Sequence, residues 1–148
     1  MHIFDIFEKA NKTLKYPQLT YPHDKTMLVF KLAGEKSSVP GSIVITDDAR
    51  YPHNKFYGRI IKNEAERKLQ FQWNDRQPIF PELREVIKAI VTNPLGMCSL
   101  IGKQHSYCCF CSTELTSKES LAVGYGPICA EKWGLPWGIT ETIKKEDL

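Results

Sequence analysis

Long apolar runs are missing from this 148-residue sequence. Runs such as Met27 to Phe30 and Ile43 to Ile45 fall far short of the roughly 20 residues that cross a bilayer, so no membrane span is expected. Repeats and low-complexity tracts are absent too, and with 42% hydrophobic and 25% charged residues the composition excludes a disordered chain, collagen or a coiled coil. Charge of one sign is scarce: 20 basic residues stand against 17 acidic, a net +3. Residues 1–97 hold 15 basic and 11 acidic, and residues 98–148 hold 5 and 6. Such a balance permits a polyanion partner without requiring one. Catalytic signatures are also wanting. There is no G-x-S-x-G, P-loop, H-E-x-x-H or Rossmann glycine pattern, and no H-x-E accompanies a P-C-x-x-C as in zinc deaminases. Asp47-Asp48 and Asp75 read as turn residues, so enzymatic activity is the less favoured reading. The first 15 residues carry Asp5 and Glu8 inside their one apolar stretch and no small-residue cleavage pattern, which predicts a cytoplasmic protein without a signal peptide.

Hydrophobic periodicity supplies the fold. Ile3, Phe7, Ala10 and Leu14 mark one face of an amphipathic helix, a pattern that Pro17 and Pro22 then break. From Met27 to Trp73, runs rich in β-branched and aromatic residues are bounded by turn clusters and predict strands at 27–33, 42–47, 55–62 and 67–73. In the last, Leu69, Phe71 and Trp73 alternate with Lys68, Gln70 and Gln72, the mark of an antiparallel sheet with one wet face. Pro81 opens a helix whose stripe of Leu83, Val86, Ile87, Ile90 and Val91 stops before Asn93-Pro94 and is expected to cover the sheet. The expected fold is α+β. An antiparallel sheet, meander or small barrel, with flanking helices fills residues 1–97, and a small zinc module fills 98–148.

That module is read from its cysteines. Of five, four fall between Cys98 and Cys111, a crowding that suits a metal in a reducing compartment better than a disulfide framework. Cys108 and Cys111 form a C-x2-C, whose tight turn aims two thiolates at one ion. Cys129 follows after 17 residues in Gly124-Tyr125-Gly126-Pro127-Ile128-Cys129, which reads as a helix start with Gly126 as N-cap and Pro127 as first helical residue. Gly134 is the expected stop, with Leu135 as its hydrophobic partner. In the first helical turn the dipole and free N–H groups favour Cys129 as a thiolate. A knuckle followed by a ligand at a helix start describes a treble-clef-like site. Between them Thr116-Ser117-Lys118-Glu119 fits either a capping box or a hairpin tip.

The run CCFCSTELTSKESLAVGYGPICAEKWGLPWG resembles a family of small, mostly uncharacterised zinc-finger-like domains common in bacteriophage and bacterial proteins, with the pattern C-x2-C, then Leu-Thr and a Ser, then G-x-G-P-x-C. Ser37-Ser38-Val39-Pro40-Gly41 is similar to the amino-terminal part of such phage proteins. The resemblance implies Cys108, Cys111 and Cys129 as zinc ligands and a phage origin, and supplies no activity. Ser112 departs from the glycine that zinc knuckles often place there. Structural zinc takes four ligands. His105 is the first choice for the fourth, with Cys98, Cys109, water or a partner's side chain as competitors.

For binding, Arg50, Lys55, Tyr57 and Arg59 interleave cations with aromatics in a segment able to stack bases and neutralise phosphates. Lys9, Lys12 and Lys15 form a further basic row. Trp133 and Trp137 either pack the small module or form a protein-docking patch. The leading expectation is a non-enzymatic, phage-type accessory protein with a structural zinc, binding nucleic acid or the machinery that processes it. The alternatives are a phage protein that binds and inhibits a host protein in host takeover, and a metal-dependent nuclease or hydrolase.

Overall fold

In the computed structural model the described residues are 2–12, 14, 17–23, 26–50, 52–63, 68–77, 81–111, 113–135 and 137. The protein is α+β and divides into two compact units, Tyr16–Lys88 and Met1–Lys15 with Ala89–Leu148. These differ from a linear cut after residue 97, because the first helix groups with the cysteine-bearing end of the chain.

The first unit is a five-stranded antiparallel meander of β1 (Gln18–His23), β2 (Thr26–Leu32), β3 (Ile43–Thr46), β4 (Phe56–Asn63) and β5 (Lys68–Trp73), paired in sequence order. β2 to β5 lie within a residue or two of the expected strands. β1 is absent from the sequence reading, since Pro17 and Pro22 read there as breakers. Pro22 sits opposite Met27 on a strand paired on one side, where a missing N–H costs no ladder bond. Register sorts the two faces. Leu32, Ile43, Ile60 and Phe71 form one cross-strand row, and Phe30, Ile45, Gly58 and Trp73 form the next. Phe30, Ile43, Ile45 and Ile60 are fully buried, while Phe71 and Trp73 stack at 5.5 Å on the half-buried end. The opposite face carries the row Lys31, Val44, Arg59 and Gln72. On β5, Lys68, Gln70 and Gln72 are exposed as the alternation predicts.

Helix α1 (Ile3–Ala10) starts at a reciprocal cap in which the His2 amide donates to Asp5 Oδ2 at 2.9 Å. It buries Ile3, Phe4, Ile6, Phe7 and Ala10. Helix α2 (Pro81–Thr92) buries Leu83, Ile87, Ile90 and Val91, and where it was expected to cover the sheet, the Arg84 guanidinium lies 4.9 Å over the Trp73 ring. The Asn93-Pro94 pair that ends α2 also begins α3 (Pro94–His105): Asn93 Oδ1 accepts from the Gly96 amide at 3.3 Å and Pro94 takes the first helical position. The sequence reading missed α3 because Gly96, Ser99 and Gly102 leave it no apolar stripe. Two short helices follow, α4 (Lys118–Val123) and α5 (Pro127–Trp133). No helix among the described residues is long and apolar enough to cross a membrane.

Candidate metal centre

The knuckle is a narrow hairpin. Tyr107 bridges Glu114, the Leu115 amide donates to the Ser106 carbonyl at 2.7 Å, and the Cys108 amide donates to the Thr113 carbonyl at 2.9 Å. The chain enters it from α3 through Ser106, which takes a left-handed conformation at φ 60°. The loop from Cys108 to Cys111 closes the hairpin, and Ser112, with its departure from the knuckle glycine, lies outside the described residues.

The other half of the site is set by helix ends. Ser117 caps α4 by accepting from the Ser120 amide at 3.2 Å, so the connection holds a helical turn and not a hairpin tip, with Ser117 and Ser120 in place of the expected Thr116–Glu119 capping box. α4 stops at Gly124, which adopts φ 87°. A Cβ there would lie 1.7 Å from the Cys98 carbonyl oxygen on α3, so only glycine permits the approach. Tyr125 is buried, Gly126 is the N-cap of α5 and Pro127 its first residue, which puts Cys129 in the first turn as the sequence predicts. Gly134 ends α5 in a left-handed conformation, and the Leu135 amide returns to the Ala130 carbonyl at 2.8 Å.

The Cys108, Cys111 and Cys129 sulfurs consequently lie within 4.8 Å of one another, close enough to hold one metal ion. Cys108 is buried, Cys129 half-buried and Cys111 exposed. His105, the last residue of α3, is exposed and stands outside this group. Cys98 and Cys109 are not in it either. They meet each other, both 2% exposed, with the Cys109 thiol donating to the Cys98 sulfur at 2.7 Å. The sequence signal for this is that Cys109 lies between Cys108 and Cys111, which aims its side chain poorly at an ion held by both neighbours.

Charge within the triad is uneven. The Cys129 thiol donates to Cys108, and the backbone of Phe110, Cys111 and Gly126 donates to it as well, which together outweigh burial and bring the Cys108 thiol down from 9.0 to about 5. Cys129 moves the other way, because its proton is held on the Cys108 anion and burial opposes a second charge. The helix start was expected to make Cys129 the thiolate. Without a metal, the denser set of donors makes it Cys108 instead. Burial and Cys98 push the Cys109 thiol well up.

A metal bound here would have to displace the proton that burial and the Cys108 sulfur hold on Cys129, so acid should weaken metal binding, a loss that metal content measured across pH checks.

The three cysteines are carried by a small aromatic core. Phe110, between two of the cysteines, stacks on Trp133 at 4.0 Å and lies 5.7 Å from Tyr125, while Phe7 of α1 meets Trp133 edge-on at 5.1 Å. Trp133 is 2% exposed, which corrects its assignment to a docking patch: it is the centre of this core. Trp133→Ala is expected to lower the unit's stability by about 3–5 kcal/mol, measured by thermal unfolding. Trp137 is half-buried, and its indole N–H donates to Ser120 Oγ at 3.2 Å.

The candidate nucleic-acid residues belong to the sheet unit. Arg50 and Lys55 are exposed on the loop between β3 and β4, which the Lys55 amide ties to Asp47 Oδ1 at 2.9 Å. The Arg59 guanidinium lies 5.2 Å over the Phe56 ring and reaches Ser38 Oγ at 3.3 Å. Tyr57 is 5% exposed, and burial and the Asp47 charge raise its hydroxyl, so it is not free to stack on a base. Of the basic row, Lys9 on α1 and Lys12 just beyond its end are exposed, and Lys15 lies outside the described residues.

Residues 101–134 match a family of unknown function, DUF6011, and the matched segment contains all three clustered cysteines. No curated protein and no solved structure matches the chain.

Proposed function

We propose that the cysteine-bearing unit is a structural zinc module and that the protein is a non-enzymatic accessory factor of phage type which binds nucleic acid through its sheet unit. The observation that carries the metal part is the convergence of three cysteine sulfurs, two from a knuckle and one from a helix start, within 4.8 Å. A thiol-only donor set suits zinc over magnesium or calcium, which prefer oxygen. Cys108, Cys111 and Cys129 would hold the ion, which supplies a fixed cross-link between the hairpin and α5.

The nucleic-acid part is supported by the polar sheet face, where Lys31 and Arg59 share a cross-strand row, and by the neighbouring cations Arg50 and Lys55. With Tyr57 buried, this surface offers charge more than stacking, so binding should depend steeply on salt. Fluorescence anisotropy with labelled single- and double-stranded oligonucleotides, at low and physiological salt, tests it. Arg59→Glu is expected to weaken binding about tenfold at low salt. Absence of binding at low salt would remove this part of the proposal.

A second reading, a phage protein that binds and inhibits a host protein, is favoured by Ile128 and Tyr107, which are 67% and 54% exposed on the zinc module.

A further inference from the structure

We propose that a metal held by Cys108, Cys111 and Cys129 completes its coordination with the imidazole of a histidine from a partner polypeptide, seated in the cavity that these three residues line. The inference rests on the metal-binding reading above and names what that site captures.

The cavity measures about 400 Å3 and is bounded, beside the three cysteines, by Glu114, Leu115, Ser120, Ile128 and Trp137. A single water takes about 30 Å3, so the space admits a side chain and the residue next to it. Its walls decide which side chain. Three thiolates around a divalent ion leave one net negative charge, and the exposed Glu114 carboxylate adds a second. No Lys, Arg or His is among the described residues that line it. A carboxylate or a fourth thiolate would add negative charge to a wall with nothing to offset it, whereas a neutral imidazole adds none and is a good zinc ligand. The chain's own candidate, His105, stands outside the cluster.

The rim favours a polypeptide as the bearer of that imidazole. Ile128 precedes Cys129 in the first turn of α5 and is 67% exposed, and with Leu115 and Trp137 it gives the cavity apolar surface. Such a surface rewards an aliphatic residue next to the entering histidine. The indole N–H of Trp137 is already engaged by Ser120, which leaves its ring as an apolar wall.

The test uses the full chain loaded with cobalt(II), whose visible ligand-field bands report the donor set. Acetyl-Leu-His-Leu-amide is expected to shift the bands saturably, while acetyl-Leu-Ala-Leu-amide and acetate leave them unchanged. Ile128→Ser should weaken the histidine peptide about tenfold and leave binding of free imidazole as it was. His105→Ala should leave the starting spectrum unaltered. The proposal is overturned if neither peptide nor imidazole shifts the bands, if acetate shifts them equally, or if His105→Ala changes the starting spectrum, which would mean that the chain closes its own site. Failure to develop cobalt bands at all would overturn the metal reading and this inference with it.

Discussion

Cys108→Ser is expected to bring the zinc content from about one ion per chain to none and to unfold the cysteine-bearing unit with it. Cys108 is the most buried of the three clustered sulfurs, and it gathers the backbone donors of the knuckle and of Gly126 along with the Cys129 proton. A serine oxygen is a poorer zinc ligand and is not ionised at neutral pH, so the substitution removes a metal bond and leaves those donors facing a neutral hydroxyl. Structural zinc contributes on the order of 10–16 kcal/mol in small modules, comparable with the roughly 5–15 kcal/mol that holds a whole domain together. The aromatic core cannot stand in for it, because Phe110 reaches Trp133 from inside the C-x2-C loop. Near-ultraviolet circular dichroism should lose the signal of the Phe110, Tyr125 and Trp133 cluster. Cys109→Ala is the control: its sulfur faces Cys98, so zinc content should persist.

Gly124→Ala should destabilise the cysteine-bearing unit by about 2–5 kcal/mol without changing any of the three clustered cysteines. Two costs add. The left-handed φ of 87° disfavours any L side chain by about 1–2 kcal/mol, and a methyl placed 1.7 Å from the Cys98 carbonyl oxygen forces α3 and α4 apart, an overpacking that costs about 1–3 kcal/mol more. Separating these helices also disturbs the bond from Ser99 Oγ to the Ala122 carbonyl at 2.6 Å and the seat of Tyr125. Gly126 provides the contrast within the same motif. Its φ is −84° and a Cβ there meets nothing within 4 Å, so Gly126→Ala should cost about 1 kcal/mol or less, the value of a cap. Chemical denaturation of the two variants, with zinc content recorded beside it, measures the difference.

These two glycines show how far the sequence could be read. Gly126, Pro127 and Gly134 carry local signals, a cap, a first helical residue and a stop, and α5 begins and ends where they say. The need for glycine at 124 is tertiary, set by a carbonyl of a helix whose own sequence lacks an apolar stripe. For the same reason α3 was not expected, and without it neither was the pairing of Cys98 with Cys109. The four expected strands followed from alternation and turn chemistry. β1 was hidden by Pro22, whose tolerance depends on its being at an edge, a fact about neighbours that composition does not record. In the site, spacing marked Cys108, Cys111 and Cys129, because each sits on a turn or helix start that its neighbours encode. For Trp133 the sequence left packing and docking both open, since whether an aromatic faces inward is decided by partners distant in sequence, here Phe7 and Phe110.

X-ray absorption at the zinc edge of the full chain, purified without chelator, counts the donors of the metal centre. Three sulfur neighbours at about 2.3 Å and one nitrogen or oxygen neighbour are expected, with the sulfur count falling in Cys129→Ser. A shell of nitrogen and oxygen alone would place the ion elsewhere and contradict a centre built from Cys108, Cys111 and Cys129, and four sulfurs would contradict the three-sulfur shell by bringing in Cys98 or Cys109 as the fourth ligand.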